Sequence, residues 1–480
     1  MTKIENILLS NGPMMSSELV NILSTQEKIN KNTASQKVSR DKTILKIKGF
    51  YSSGQSFCYI EKHIENDSFF KLFLSSLEKY GKKYWYCLNA IKINGGIISK
   101  KYLECYTNYP VIPLKSHLPF KIVLQNFIKS GILIYNENHY LIAPKFNQSY
   151  SNYTQYNTIE TVKDDILKNF NLYVRNIGLI SYNTGKTFNE FGKFQWCFNG
   201  VCPINGLKTN NKFGFLVADI LFGHPIYEKD IMFFLEKIKT IQSFKNASKI
   251  LPFLIVDNID EGALILLKKN GVVVGFIREL FGQKYAETLE NLVSVLNNAG
   301  ASLKNDPNKY LNLISELKKY NEGLANNIKG TLFEFVIGHF HSFNSNNSVD
   351  LGREIYDSNG KHEIDVLAIY NDKIIFAECK ATNSKTSKDK IEKWETKKIP
   401  AFKKWAEKQE TWKNKKIEFE YWSTNGYDQE AEDLLKSMSE NYKKVKVSYF
   451  TGKDIREKAI KIKDKKLKEA IDNFFIKTKL

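Results

Sequence analysis

Three short amphipathic segments open the chain. Apolar residues recur at helical spacing from Ile4 to Ser10, Gly12-Pro13 interrupts them, a second helix starts at Ser16-Ser17-Glu18-Leu19, and a third spans Asn32 to Arg40. Alternation then replaces the helical period. Leu45-Lys46-Ile47-Lys48-Gly49-Phe50-Tyr51 and Ser56-Phe57-Cys58-Tyr59-Ile60 flank Ser52-Ser53-Gly54, which is a hairpin signal. Residues Phe69 to Pro144 repeat the plan, with helices around Phe70 to Lys79 and Phe120 to Ser130 and a closing hairpin from Ile132 to Ile142. From Asn147 to Thr158 the apolar period gives way to Asn, Ser, Gln and Tyr, so this stretch reads as a linker.

Beyond the linker the periods of helix and strand alternate. A helix from Thr161 leads to strands around Phe194 to Phe198 and Gly214 to Ile220. A helix from Tyr227 to Ser243, a strand from Leu251 to Val256, a helix from Glu261 to Lys269 and a strand from Val272 to Ile277 complete an α/β domain over residues 159–300. Residues Thr288 to Asn326 read as helical, broken at Asn305-Asp306-Pro307, and 301–327 connect to a final domain over 328–480. That domain opens with a helix, Gly330 to Phe340, whose buried stripe is Phe333, Val336, Ile337 and Phe340, with Glu334 at its edge. Strands Val349 to Ile355, His362 to Tyr370 and Lys373 to Lys380 then form a meander across the turns Asp357-Ser358-Asn359-Gly360 and Asn371-Asp372.

Composition narrows the partners. Of 480 residues 42% are hydrophobic, enough for several cores, and the formal charge of +19 favours a polyanion, nucleic acid first and an anionic membrane surface second. No apolar run reaches the ~18 residues of a membrane span, and the start lacks a secretion-signal layout, so a cytoplasmic location is expected. The six cysteines are scattered; Cys197 and Cys202 form the only close pair, and reduced, buried thiols are expected.

Candidate chemistry concentrates in the last domain. Period-2 geometry puts Glu378 and Lys380 on one face of their strand and Cys379 on the other, while Asp365 approaches from the neighbouring strand. Charged residues closing the apolar run Ile374-Ile375-Phe376-Ala377 would be costly to bury without a metal or another partner. Hydrolysis of a phosphodiester needs a cation to neutralise a phosphoryl oxygen and make hydroxide available near neutral pH. Asp365 and Glu378, with the Cys379 backbone carbonyl, are hard ligands for Mg2+ or Mn2+. Lys380 would position or activate the attacking water, and Glu334 would bind the metal or one of its waters. Glu363 shares the Asp365 face as a reserve ligand; His339, His341 and His362 are close in sequence and more often pack than ligate. Residues Lys385 to Lys416 hold 12 lysines against 5 acidic residues, with Trp394, Trp405 and Trp412 among them. They read either as a phosphate-tracking surface including Lys385 and Lys388 or as an amphipathic helix pair broken at Pro400 with buried tryptophans.

The order Gly-x-x-x-Glu on a helix, Glu-Ile-Asp, then Ala-Glu-Cys-Lys after one strand resembles the PD-(D/E)XK nuclease superfamily, Mrr-like restriction endonucleases in particular. The match covers roughly residues 328 to 460, including Tyr421 to Tyr427, a helix from Gln429 to Ser439 and Val445 to Phe450 as the strand-helix-strand end of that fold. Ile364 stands where the motif has proline. The domain over 159–300 resembles the same fold in its element order, but Leu221-Phe222-Gly223 follows Asp219 and no Glu-x-Lys occurs, which implies a non-catalytic copy; an unrelated scaffolding or ligand-sensing module is the alternative. Residues 1–66 resemble a winged-helix domain and 67–145 a second one. In such domains the third helix enters the major groove, and here it offers Lys31, Asn32, Thr33, Ser35, Gln36, Lys37, Ser39 and Arg40. A protein-interaction module is the bland alternative.

These resemblances imply a multidomain α/β protein, two winged helices (α+β) followed by two restriction-endonuclease-like domains, and a metal-dependent DNA endonuclease of restriction or anti-phage defence. Double-stranded DNA is the expected partner, a homodimer the expected state for double-strand cutting, and further defence-system subunits are possible partners. A winged-helix regulator whose nuclease fold does not cut, or a ligand-activated or RNA-directed nuclease, are the alternatives. No Walker-type motif is present, so ATP-driven movement would need another polypeptide.

Overall fold

The computed structural model describes residues 2–476, apart from 65, 67, 116, 147–152, 209–211, 245, 298–306, 321, 344–347, 358–359 and 443–444. The chain is a multidomain mixed α/β protein that divides into two compact units, Met1–Ser151 with Leu167–Phe276, and Asn152–Ile166 with Ile277–Leu480. Of the 159–300 span, residues 167–276 therefore group with the first unit, and residues 159–166 and 277–297 with the second. Of the linker expected over 147–158, residues 147–152 lie outside the described residues. The remainder is already helical, because Tyr156 and Thr158 are buried and give a polar-looking stretch a packing face.

The first unit begins with α1 (Lys3–Asn11), α2 (Ser16–Glu27) and α3 (Lys31–Arg40), beside β1 (Met14–Met15), β2 (Leu45–Lys48) and β3 (Ser56–Tyr59) in the antiparallel order β1-β3-β2. Thr2 and Glu5 form a capping box on α1, and Asn30 caps α3. Ile4, Ile7, Leu8, Leu19, Leu23, Ala34 and Val38 fill the core between the helices. After α4 (Ser68–Tyr80) the same order of elements recurs as α5 (Lys82–Ile93), β4 (Ile97–Ser99), α6 (Lys100–Cys105), α7 (Phe120–Lys129), β5 (Leu133–Asn136) and β6 (His139–Ile142), with the sheet order β4-β6-β5. The sequence pattern misses α5 because eight of its residues, Tyr84 to Ile91, are consecutively buried and leave no polar face to mark a period.

Helix α8 (Tyr153–Asn176) leads into a five-stranded sheet of β7 (Lys186–Phe191), β8 (Phe194–Cys202), β9 (Gly214–Leu221), β10 (Ile250–Val256) and β11 (Val273–Phe276). β7, β8 and β9 are antiparallel, and β9, β10 and β11 are parallel, joined by α9 (Met232–Gln242) and α10 (Glu261–Lys269).

The second unit contains α11 (Gln283–Asn297), α12 (Pro307–Tyr320) and α13 (Lys329–Ser342), then β12 (Ser348–Asp357), β13 (Gly360–Ile369), β14 (Lys373–Lys380), β15 (Lys416–Ser423) and β16 (Lys446–Phe450). Ser358 and Asn359 of the expected β12–β13 turn lie outside the described residues, as do Asn305 and Asp306 of the expected helix break. The strands lie in chain order, with β12 to β14 antiparallel and β14 to β16 parallel, so both five-stranded sheets share one topology. Between β14 and β15 run α14 (Lys388–Lys393), a π-helical turn Trp394–Lys398 and α15 (Ile399–Glu407); α16 (Gln429–Asn441) joins β15 to β16, and α17 (Gly452–Ile462) follows. Pro400 does not break the pair as expected: it occupies the first turn of α15, where its missing N–H costs nothing. Trp394 is buried, and Trp405, edge-to-face on both Phe376 and Trp412, packs with Trp412 against the core that includes Phe402 and Phe419, so these rings hold the fold.

Candidate active site at the end of β13 and β14

β13 and β14 are paired through Val366 and Ala377, and one step further out Asp365 and Glu378 occupy adjoining strand positions. Both are buried, at 6% and 5% exposure, at the end of a strand whose preceding residues Ile374 to Ala377 are core. The Cys379 N–H donates to Asp365 Oδ2 at 2.7 Å, which fixes one carboxylate against the neighbouring strand. Lys380 Nζ lies 2.7 Å from Glu378 Oε1 and 3.3 Å from Asp365 Oδ2. The structure thus brings Asp365, Glu378 and Lys380 together as the strand periodicity predicts.

A fourth group was not singled out from the sequence. Lys398 Nζ, from the π-helical turn, lies 2.6 Å from Glu378 Oε2 and 3.8 Å from Asp365 Oδ1. Two carboxylates therefore face two ammonium groups. Burial pushes the Asp365 carboxyl up, but Lys380, Lys398 and the Cys379 N–H more than offset it and leave it below its ordinary value. Burial alone would lower both lysines; Asp365 and Glu378 reverse this and raise them, so each remains an ammonium at neutral pH.

Glu334, on α13, has an Oε2 shielded from solvent and without a hydrogen-bond partner. Burial, then the charges of Asp365 and Glu363, hold its carboxyl well above the usual range. Glu363 accepts a hydrogen bond from the Thr154 hydroxyl, and burial and Asp365 raise it too. The donor set is of hard-oxygen character: two strand carboxylates side by side, a third carboxylate with an unused oxygen, and two ammonium groups drawn to the same negative charge. The three histidines are engaged elsewhere. His339 faces Asp464 at 3.3 Å, His341 lies between Tyr370 and Glu420, and His362 contacts Asp357 at 3.2 Å.

No family model matches the chain, and no curated protein matches it. Among solved structures a match is found to protein VC1899 from Vibrio cholerae, with 9% identity and a TM-score of 0.17, covering 50% of this chain and about half (53%) of that one. A similarity this low carries no argument about fold or function.

The other five-stranded sheet offers an internal comparison. β8 and β9 pair through Phe198 and Ala218, and one step further out lie Cys197 and Asp219, in the places of Asp365 and Glu378. Leu221 then stands where Lys380 stands. The Cys197 N–H donates to Asp219 Oδ1 at 2.8 Å, and Lys237, from the helix that follows β9, donates to Asp219 Oδ2 at 2.6 Å. The same ammonium donates to the carbonyls of Cys105 and Gln195 and lies 3.9 Å from the centre of the Trp196 ring. Cys105, Cys197 and Asp219 offer ligand atoms within 4.8 Å of one another, but the cation among them is Lys237, with its three protons accepted. Both side chains of this pair are 0% exposed, against 31% and 26% for Lys380 and Lys398. The first sheet therefore carries a sealed ion pair and the second an open one.

Of the other predicted residues, Lys31, Asn32, Thr33, Ser35, Gln36, Lys37 and Arg40 all lie on the exposed face of α3, while Ala34 and Val38 face the core. Lys37 is paired with Glu27 at 2.5 Å. Lys31 and Ser35 line a groove of about 460 Å³ with Ser16, Ser17, Lys46 and Lys48. Lys385 is exposed in the loop after β14; Lys388 opens α14 and lies within 4 Å of Glu392 and Glu430. All six cysteines are free and buried. Among the described residues no helix is long and apolar enough to cross a membrane.

Proposed function

We propose that the second unit is a metal-dependent phosphodiester hydrolase of the PD-(D/E)XK kind that cuts DNA. The convergence of Asp365, Glu378 and Lys380 at one strand end, with Glu334 presenting an unpartnered buried oxygen beside them, carries this reading. In this reading Asp365, Glu378, the Cys379 carbonyl and Glu334 would hold Mg2+ or Mn2+, which would supply charge neutralisation at phosphorus and a more acidic water. Lys380, kept cationic by its two carboxylates, holds and orients the attacking water; it does not act as a base while charged. Water oxygen bonds to phosphorus and gives up a proton to solvent as the bond to the leaving sugar oxygen breaks; that oxygen leaves with the electron pair and takes a proton from solvent.

The first unit is read as the DNA-holding part. Its two modules follow a winged-helix order of helices and strands, and the lysine- and serine-lined groove beside α3 suits a phosphate backbone. The sheet containing Asp219 is read as a non-cutting copy, supported by its sealed ion pair and by Leu221 in place of a lysine. A role in restriction or anti-phage defence, a cytoplasmic location and a homodimeric state for double-strand cutting extend the same reading.

The test is cleavage of supercoiled plasmid, linear duplex, single-stranded DNA and RNA with Mg2+, Mn2+ or EDTA, beside Asp365→Asn and Lys380→Ala. Metal-dependent DNA cleavage lost in both variants is expected. Binding of duplex without cutting under every condition would favour the regulator, and cleavage confined to RNA would change the substrate.

A further inference from the structure

The ion pair between β14 and the helical segment after it goes beyond the four residues on which the hydrolase reading was built, and the inference that follows rests on that reading. Lys398 is one of 12 lysines between Lys385 and Lys416, yet its place is singular. Ile391, Trp394 and Phe402 are buried on one stripe of the helical segment, and Lys398 falls on that stripe, among the core residues and not on the solvated face. The π-helical turn Trp394–Lys398 changes the helical phase at this point, a local irregularity often found at functional sites. Its ammonium reaches both carboxylates yet remains 26% exposed, so it is reachable by a ligand from solvent.

A divalent cation and the two ammonium groups compete for the same carboxylate oxygens. Lys380 is bound to its strand beside Glu378, whereas Lys398 sits on a separate element, on a long flexible stem. We propose that Lys398 is a second catalytic lysine of the hydrolysis: it shares Glu378 and Asp365 with the divalent cation, and when the cation holds them it contacts a non-bridging oxygen of the scissile phosphate. Charge on that oxygen grows as the new bond to phosphorus forms, so an ammonium placed there stabilises the transition state more than the ground state. The sealed copy supplies the contrast. Lys237 makes the equivalent contact to Asp219, but with all three protons bound to protein oxygens and no exposure it has neither freedom nor access to do this.

Lys398→Met keeps the stem and removes the charge; Lys398→Arg keeps the charge. Two quantities are measured on the full chain: Mn2+ affinity by isothermal titration in the absence of DNA, and single-turnover cleavage of plasmid at saturating Mn2+. In Lys398→Met the Mn2+ Kd should fall by on the order of tenfold, since a like charge competing for the same carboxylates is gone. Cleavage should nevertheless slow by on the order of 10²-fold, with partial recovery in Lys398→Arg. Tighter metal binding together with slower cleavage is a combination that a structural defect does not produce, and a thermal melt within a few degrees of wild type confirms folding. Unchanged cleavage in Lys398→Met while wild type cuts would overturn the role of Lys398 alone. Weaker Mn2+ binding in a folded Lys398→Met would overturn the competition. A wild-type chain that cuts no nucleic acid would sink the hydrolase reading itself, and the role of Lys398 with it.

Discussion

Replacing Lys237 by methionine removes a cation that is wholly enclosed in the first unit. Its ammonium satisfies Asp219 at 2.6 Å, the Cys105 carbonyl at 2.8 Å and the Gln195 carbonyl at 3.0 Å, and neither partner of the ion pair has any exposure through which water could substitute. The methionine stem preserves most of the packing volume, so the loss is electrostatic. Asp219 keeps only Cys197, through its backbone N–H and its side chain, and is left as a buried carboxylate whose burial already pushes its pKa up. Removing one partner of such a pair costs about 3–5 kcal/mol. At roughly 2–4 °C per kcal/mol for a domain of this size, the first unit should melt about 6–20 °C lower. Neutralising the other partner as well should restore much of that, because the uncompensated charge is then gone. Lys237→Met, Asp219→Asn and the double variant, compared by calorimetry and denaturant titration, form a double-mutant cycle with an expected coupling of about 2 kcal/mol or more. A single variant within about 1 kcal/mol of wild type, or a double variant equal to the sum of the singles, would refute the view that this pair closes the first sheet.

Two further outcomes follow from the same geometry. Glu334 has its carboxyl raised in the fold by burial and by Asp365 and Glu363, so the stability linked to its neutral form is fully present below its unfolded pKa and is lost as pH rises through the folded value. Glu334→Gln should therefore melt higher than wild type at pH 8 in EDTA, by about 1 kcal/mol of stability, and not at pH 4; a pH-independent difference in calorimetric scans would contradict this. In the α3 groove, Lys31→Gln and Lys48→Gln should each weaken duplex binding across sequences and reduce the slope of log K against log salt by roughly 0.9. An unchanged slope in fluorescence-anisotropy titrations would place the phosphate contacts elsewhere.

Legibility in the sequence followed how cleanly each residue obeyed one period. β14 is legible at its observed bounds, Lys373–Lys380, because a continuous apolar run begins after the short turn Asn371-Asp372 and ends in charge. β7 was missed: it alternates Lys, Thr, Phe, Asn, Glu and Phe as an edge strand, with none of its residues buried. Lys398 was missed because eleven neighbouring lysines hide it by composition. The signal was nevertheless present, as a lysine on the stripe set by Ile391, Trp394 and Phe402. Lys237 carries the same signal, being three or four residues from the buried Phe233, Phe234 and Ile241. A lysine on an apolar helical stripe after a strand that ends in a carboxylate marks the ion pair in both sheets, and only tertiary pairing tells the two apart.

What separates the two sheets is access more than residue type. Each places a carboxylate one step beyond the last position at which its third strand pairs with the second, and each brings a lysine to it from the following helix at 2.6 Å. In the first sheet the end of α6 contributes the Cys105 carbonyl as a third acceptor, and the Tyr106 hydroxyl donates to the Ile220 carbonyl beside it, so the module before the sheet covers the strand end. The ammonium is then a permanent structural cation, costly to remove and useless for exchange. In the second sheet Asp365 doubles the negative charge, Lys380 and Lys398 stay open to solvent, and Glu334 holds an unpartnered oxygen within the field of the others. Charges that can be approached and exchanged are what a metal ion and a phosphate need. The same fold position therefore yields a staple where it is covered and a candidate reaction centre where it is not, and uncovering the first by Lys237→Met should destabilise it without creating the missing Asp365 and Lys380.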